Sequence, residues 1–170
     1  MVVALRSRGW TLAVAESLTG GLLGAAVTDV PGSSSVFRGG VTVYATDLKS
    51  TLLGVDAQLL TRVGPVAAET ALAMAIGVRD RLGADCALAT TGVAGPGSQG
   101  THPAGEVHLA VAWPAGTRTL ELRLRGDRDT VRQRTVDQAL LLLLDAVAAG
   151  TDGRSPGDAG EEPGIGASAR

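Results

Sequence analysis

The sequence predicts an α/β fold, a three-layer α/β/α arrangement with a mixed central sheet in a single domain. Three observations lead there. Segments of strand length alternate with segments of helical periodicity along most of the chain. The run Asp85-Cys86-Ala87-Leu88-Ala89-Thr90-Thr91 is continuously apolar through its middle, as a strand covered on both faces must be, so it belongs at the centre of the sheet. Glu106 to Trp113 and Thr117 to Leu124 alternate about Pro114-Ala115-Gly116, which adds a hairpin. With 170 residues and 45% hydrophobic content the chain can bury a sizeable core. Because only 2% of it is aromatic, that core must be built from Ala, Val and Leu, with Gly at close contacts.

The elements follow in order. Met1 to Arg8 reads as the last turns of a helix closed by Gly9, and a true start upstream is expected. Thr11 to Ala15 is a short buried strand, and Gly20 to about Asp29 is a small-residue helix. Val30-Pro31-Gly32-Ser33-Ser34-Ser35 is a turn or polar loop. Val36 to Ala45 forms a strand with Val41, Val43 and Ala45 on one face and Thr42 and Tyr44 on the other. Asp47 to Leu53 and Asp56 to Arg62 are two short helices split by Gly54. Val66 to Leu82 is the clearest helix, with an apolar stripe through Ala68, Leu72, Ala75 and Ile76 giving way to charge at Arg79. After the central strand a glycine-rich loop runs from Gly92 to Gly105, and after the hairpin Gly126-Asp127-Arg128-Asp129 introduces a final helix to about Ala148. From residue 150 to 170 the chain turns to Gly, Pro, Ser and acidic residues without apolar periodicity, which predicts a disordered tail beyond a domain of residues 1–149.

Composition excludes several function classes. A net charge of -2 supplies no basic field, and Trp10, Trp113, Phe37 and Tyr44 are too scattered for base stacking, so nucleic acid is not the expected partner. Cys86 is the only cysteine and sits in the apolar central strand, where a buried, inert thiol is expected. The only histidines are His102 and His108; His108 reads as an outward strand position, and no metal site is expected. Neither a signal-peptide pattern nor an apolar run of membrane-spanning length is visible, and a cytoplasmic protein with no membrane partner is the expectation.

Several segments place Gly, Ser, Thr or a charge just after a strand, the edge at which open α/β sheets bind ligands. Ser17 stands where the first strand becomes a helix. There its oxygen can cap the helix, or serve as a nucleophile beside backbone N–H donors and the positive helix end. Lys49 is the only lysine of the chain. A desolvated lysine can accept the proton of a serine, which arginine cannot do, although a solvent-facing lysine on a short helix is the alternative. Tyr44 can relay a proton or orient the amine, or simply sit at the rim. Glu16 can pair with a cation or favour the start of the helix through its dipole. The loop through Gly92, Gly95, Pro96 and Gly97 can bring N–H groups to a phosphate or carboxylate, or make ordinary turns. Arg128 and Arg132 share one helix face, where they can clamp an anion or pair with Asp129 and solvent.

The ordered motifs Ala15-Glu16-Ser17-Leu18-Thr19-Gly20-Gly21, Asp29-Val30-Pro31-Gly32-Ser33-Ser34, Val43-Tyr44-Ala45-Thr46-Asp47-Leu48-Lys49, Thr91-Gly92-Val93-Ala94-Gly95-Pro96-Gly97 and Gly126-Asp127-Arg128 resemble the C-terminal domain of the competence/damage-inducible protein CinA and its stand-alone form, nicotinamide-nucleotide amidase. The resemblance covers about residues 1 to 149. It implies hydrolysis of the carboxamide of nicotinamide mononucleotide to nicotinic acid mononucleotide and ammonia, with Ser17 as nucleophile and Lys49 and Tyr44 beside it. It places substrate against Glu16, Thr19, Gly20, Gly21, Gly32, Ser33, Thr91, Gly92, Gly95, Pro96, Gly97, Arg128 and Arg132. Leu18 stands where the family commonly has Cys, Ala45-Thr46 where it has Ser-Asn, and Glu106 where Thr is frequent. A small-molecule nucleotide substrate, no cofactor and a homodimer are the corresponding expectations. A non-catalytic nucleotide-sensing module using the same pocket is the alternative function. Phosphate-ester hydrolysis is a third, for which paired carboxylates or metal ligands are not evident.

Overall fold

The computed structural model describes residues 1–149, so the tail expected from residue 150 lies outside the described residues. The elements run α1 (Val2–Arg8), β1 (Leu12–Glu16), α2 (Leu22–Thr28), a 3-10 turn (Ser33–Ser35), β2 (Phe37–Thr42), α3 (Thr46–Leu53), α4 (Ala57–Val63), α5 (Ala68–Leu82), β3 (Cys86–Gly92), β4 (Glu106–Trp113), β5 (Gly116–Arg123) and α6 (Arg128–Ala149). The strands form one open mixed sheet in the order β2-β1-β3-β4-β5. β1 pairs in parallel with β2 and β3, while β4 and β5 continue antiparallel from β3 as a hairpin.

Side chains alternate across the sheet, so each strand feeds two cores. On one face Leu12, Val14, Leu88, Leu109 and Val111 meet α1, α2 and α6. On the other, Ala13, Ala15, Ala87, Ala89, Ala110 and Ala112 present an almost flat alanine surface to Met74, Ala75 and Val78 of α5. Methyl-sized side chains let α5 lie close to the strands, and α3 and α4 pack beside it. β3 is the third of five strands and is buried along most of its length, in keeping with its apolar run.

Three details differ from the sequence reading. β2 ends at Thr42: Val43 N–H still reaches the Glu16 carbonyl at 2.8 Å, but Tyr44 and Ala45 lead out of the sheet into α3, and Ala45 is exposed. The buried stripe of α5 runs through Ala71, Met74, Ala75 and Val78, which leaves Ile76 37% exposed. Met74 and Val78 fill the space against the alanine surface, so the buried face is turned from the one read through Leu72 and Ile76, with Ala75 common to both. His108 is buried rather than outward, because α5 covers that face of β4. Among the described residues no helix is long and apolar enough to cross a membrane.

Candidate active site

Parallel pairing brings the C-terminal ends of β1, β2 and β3 to one edge, and antiparallel β4 starts from the same edge. The chain that leaves or enters each strand there encloses a cleft of about 250 Å³. Ser17 from the end of β1, Tyr44 and Thr46 from the β2–α3 connection, Lys49 from α3, Thr91 and Gly92 from β3, Gly95 and Gly97 from the glycine-rich loop, and Arg128 from α6 all line it.

The alternation of β1 separates its last two polar side chains. Glu16 falls on the α2 side. Its Oε2 accepts from the N–H groups of Gly21 at 2.9 Å and Leu23 at 3.1 Å, and its Oε1 accepts from Gly24 N–H at 2.8 Å. A carboxylate thereby satisfies the orphan donors at the start of α2 and lies against the positive end of the helix. Ser17 is therefore not the cap, and its hydroxyl is free to face the cleft. With both oxygens spent on α2, Glu16 supports the turn rather than contacting a ligand. Glu16→Ala should cost about 3 kcal/mol of stability, since three bonds to a buried charge are lost. Urea unfolding checks this, and a change below about 1 kcal/mol would contradict the capping role.

The turn after Ser17 is fixed from three directions. Gly20 and Gly21 adopt φ of 60° and 102°, left-handed values that favour glycine. Ser17 N–H donates to the Thr90 carbonyl at 3.0 Å, and the buried hydroxyls of Thr19 and Thr90 bond at 2.8 Å. Arg132 donates from Nε to the Leu18 carbonyl at 3.1 Å and from Nη2 to the Thr19 carbonyl at 2.9 Å. Thr19, Gly20, Gly21 and Arg132 thus shape the turn without lining the cleft. Neither Leu18 nor Thr19 N–H has an acceptor among the described residues.

Lys49 is the largest fully buried side chain, 1% exposed. Its Nζ lies 3.3 Å from Ser17 Oγ and donates to the Val43 carbonyl at 2.7 Å. No carboxylate pairs with it among the described residues. Burial without a counter-charge lowers its pKa from the ordinary 10.5 to about 8. The solvent-facing alternative for this lysine is excluded by its burial.

Tyr44 and Arg128 stand at the mouth. Tyr44 is 62% exposed, and its hydroxyl accepts from Arg128 Nη2 at 3.2 Å, while Arg128 Nη1 donates to the Gly95 carbonyl at 2.9 Å. Thr91 Oγ1 donates to the Pro65 carbonyl at 2.6 Å. Gly92 has no room for a side chain, because a Cβ there would stand 2.4 Å from the Glu106 carbonyl oxygen. Pro96 follows Gly95 through a cis peptide bond and does not line the cleft. Gly32 and Ser33 do not join this site. They lie at the opposite end of the sheet, where Val36 pairs with Leu12 at the start of β1 and Arg6 donates to the Gly32 carbonyl. A connection from a helix back to a parallel strand must end at that opposite edge. The cleft also takes in Leu18, Thr46, Pro65, Val66, Ser98 and Gln99. Ser98 and Gln99 belong to the recognised glycine-rich loop, but no sequence signal marks Pro65 and Val66.

The family model of the CinA C-terminal domain matches residues 1–147. A CinA-like protein from Frankia casuarinae is 55% identical over 139 residues, covering 82% of this chain and 32% of that protein. The chain spans about a third of the length of the curated relatives it matches. Among solved structures, a CinA superfamily protein from Klebsiella pneumoniae superposes with a TM-score of 0.84 at 33% identity, over 87% of this chain and 94% of that one. A competence/damage inducible protein from Agrobacterium tumefaciens gives a TM-score of 0.82 at 39% identity, over 86% and 90% of the two chains.

Proposed function

Because the chain belongs to the CinA C-terminal domain family, we propose that its cleft hydrolyses the carboxamide of nicotinamide mononucleotide, yielding nicotinic acid mononucleotide and ammonia. One observation supports this above the others: a buried lysine, with no counter-ion among the described residues, lies within hydrogen-bond distance of Ser17 at the strand edge. In its neutral form the Lys49 amine takes the Ser17 proton as Oγ attacks the carboxamide carbon. The unpaired N–H groups of Leu18 and Thr19 are donors available to the oxyanion. The Lys49 ammonium then protonates the departing nitrogen, ammonia leaves, and a water deprotonated by Lys49 opens the acyl ester and regenerates Ser17. Arg128 at the mouth supplies charge for the phosphate, and Tyr44 orients that guanidinium through the bond they share.

The test is an ammonia-release screen over pyridine mononucleotides and dinucleotides, with Ser17→Ala as the control. Ammonia should appear with the mononucleotide and vanish in the variant. For this mechanism kcat/KM should climb about tenfold per pH unit below about 8 and level off above it, as the buried amine loses its proton. A profile flat from pH 6 to 9 removes Lys49 as the base. Calorimetric binding of the mononucleotide without ammonia release makes the cleft a sensor instead.

A further inference from the structure

We infer that Glu106 is a positioning residue that fastens the glycine-rich wall of the cleft, so that this wall meets the substrate already in place. The loop from Ala94 to Ala104 contributes Gly95, Gly97 and Ser98 to the lining. Its neck is closed by backbone bonds, Val93 N–H to the Glu106 carbonyl at 2.8 Å and Gly105 N–H to the Val93 carbonyl at 2.7 Å. Its near half is held by Arg128 at Gly95. The far half is folded on itself by reciprocal backbone bonds between Gln99 and His102 at 2.9 and 3.0 Å. Beside the Glu106 N–H bond to the Pro103 carbonyl at 3.2 Å, that half is tied to the sheet, among the described residues, by one side-chain hydrogen bond, His102 Nδ1 with Glu106 Oε1 at 2.7 Å.

Glu106 is built to hold that contact. It is 6% exposed, and its other oxygen accepts from Arg123 Nη1 at 2.6 Å across the β4–β5 pair. His108 Nε2 lies 3.1 Å from the same Oε1 that meets His102. Since His108 Nδ1 is buried without a partner, the neutral Nε2–H tautomer is the one that leaves no buried donor unsatisfied. Burial alone would raise the carboxyl pKa, but the bonds from His102, His108 and Arg123 outweigh it and hold the pKa at about 2. The acceptor is thus ionised throughout the working range, fixed by two sheet residues, and joined to the loop by a single histidine.

The role rests on the amidase reading for its kinetic consequence and on loop order for its structural one, and the two are measured separately. Amide hydrogen exchange and steady-state ammonia release are compared in the wild type, Glu106→Ala and Glu106→Gln. In Glu106→Ala the amides of residues 97–104 should exchange about tenfold faster, and KM should rise about tenfold while kcat stays within about twofold, the size expected for one charge-assisted bond. Glu106→Gln keeps an acceptor for His102 and should recover part of both effects with normal exchange in β1 and β3. Unchanged loop exchange in both variants, or a fall in kcat at constant KM, overturns the assignment. If the wild type releases no ammonia the amidase reading fails, and loop exchange still decides the role of Glu106.

Discussion

Lys49→Met should reduce ammonia release by about a thousandfold or more and yet leave the protein more stable at neutral pH than the wild type. The first effect follows, on the amidase reading, from removing the one amine hydrogen-bonded to Ser17 Oγ among the described residues. The second follows from burial. Lowering the amine pKa from 10.5 to about 8 means that the folded state carries a penalty of roughly 3 kcal/mol while the amine is protonated. That penalty is complete below about pH 8, shrinks as pH rises towards 10.5, and is gone above it. Methionine has a similar length and no charge, but it leaves the buried Val43 carbonyl without its donor, a cost of about 1–2 kcal/mol. The variant should therefore gain about 1–2 kcal/mol at pH 7 and lose a similar amount near pH 11. Denaturant unfolding at the two pH values reads the change of sign, and destabilisation at both would mean that Lys49 is held by compensating interactions.

Gly77→Ala is the second large effect, and helix propensity predicts it with the wrong sign. In an exposed helix the substitution gains about 1 kcal/mol. Gly77 instead lies where α5 crosses the end of α3, and a Cβ there would stand 2.0 Å from the Leu53 carbonyl oxygen. Backbone cannot swing aside as a flexible side chain does, so α3 must move. We expect a net loss of about 2–4 kcal/mol, at or above the usual range for overpacking. Because α3 carries Lys49, kcat should fall as well. Ile76→Ala, one residue away and facing solvent, should change stability by less than about 1 kcal/mol and serves as the control. A Gly77→Ala protein as stable as the wild type would show that the α3–α5 contact yields easily.

The sequence reading succeeded where one strong local signal stood alone. The apolar run of β3 located the sheet's centre, and glycines at 9 and 54 ended helices where left-handed caps now stand. Residue chemistry raised Lys49 as a base for Ser17 and left a solvent-facing lysine as the alternative, because 32 residues separate the two and their contact depends on β1 and β2 lying side by side. Glu16 and Ser17 could not be told apart as the helix cap, since both side chains accept N–H donors and only the strand's alternation sends one to each face. Gly32 and Ser33 were placed with the site on residue type, whereas the direction of the connection put them at the far edge. Arg132 could be read as an anion ligand or as a partner of Asp129; its Nε and Nη2 go to the Leu18 and Thr19 carbonyls, and its Nη1 lies 3.7 Å from Asp129 Oδ1.

Those two carbonyl contacts also bear on how the protein is made. Ser17 and Lys49 are synthesised together with the strands that bring them side by side, but the guanidinium that braces the turn after Ser17 follows more than a hundred residues later. A nascent chain truncated or stalled before α6 carries Ser17 and Lys49 without that brace, so on the amidase reading the site is complete only once α6 has been made.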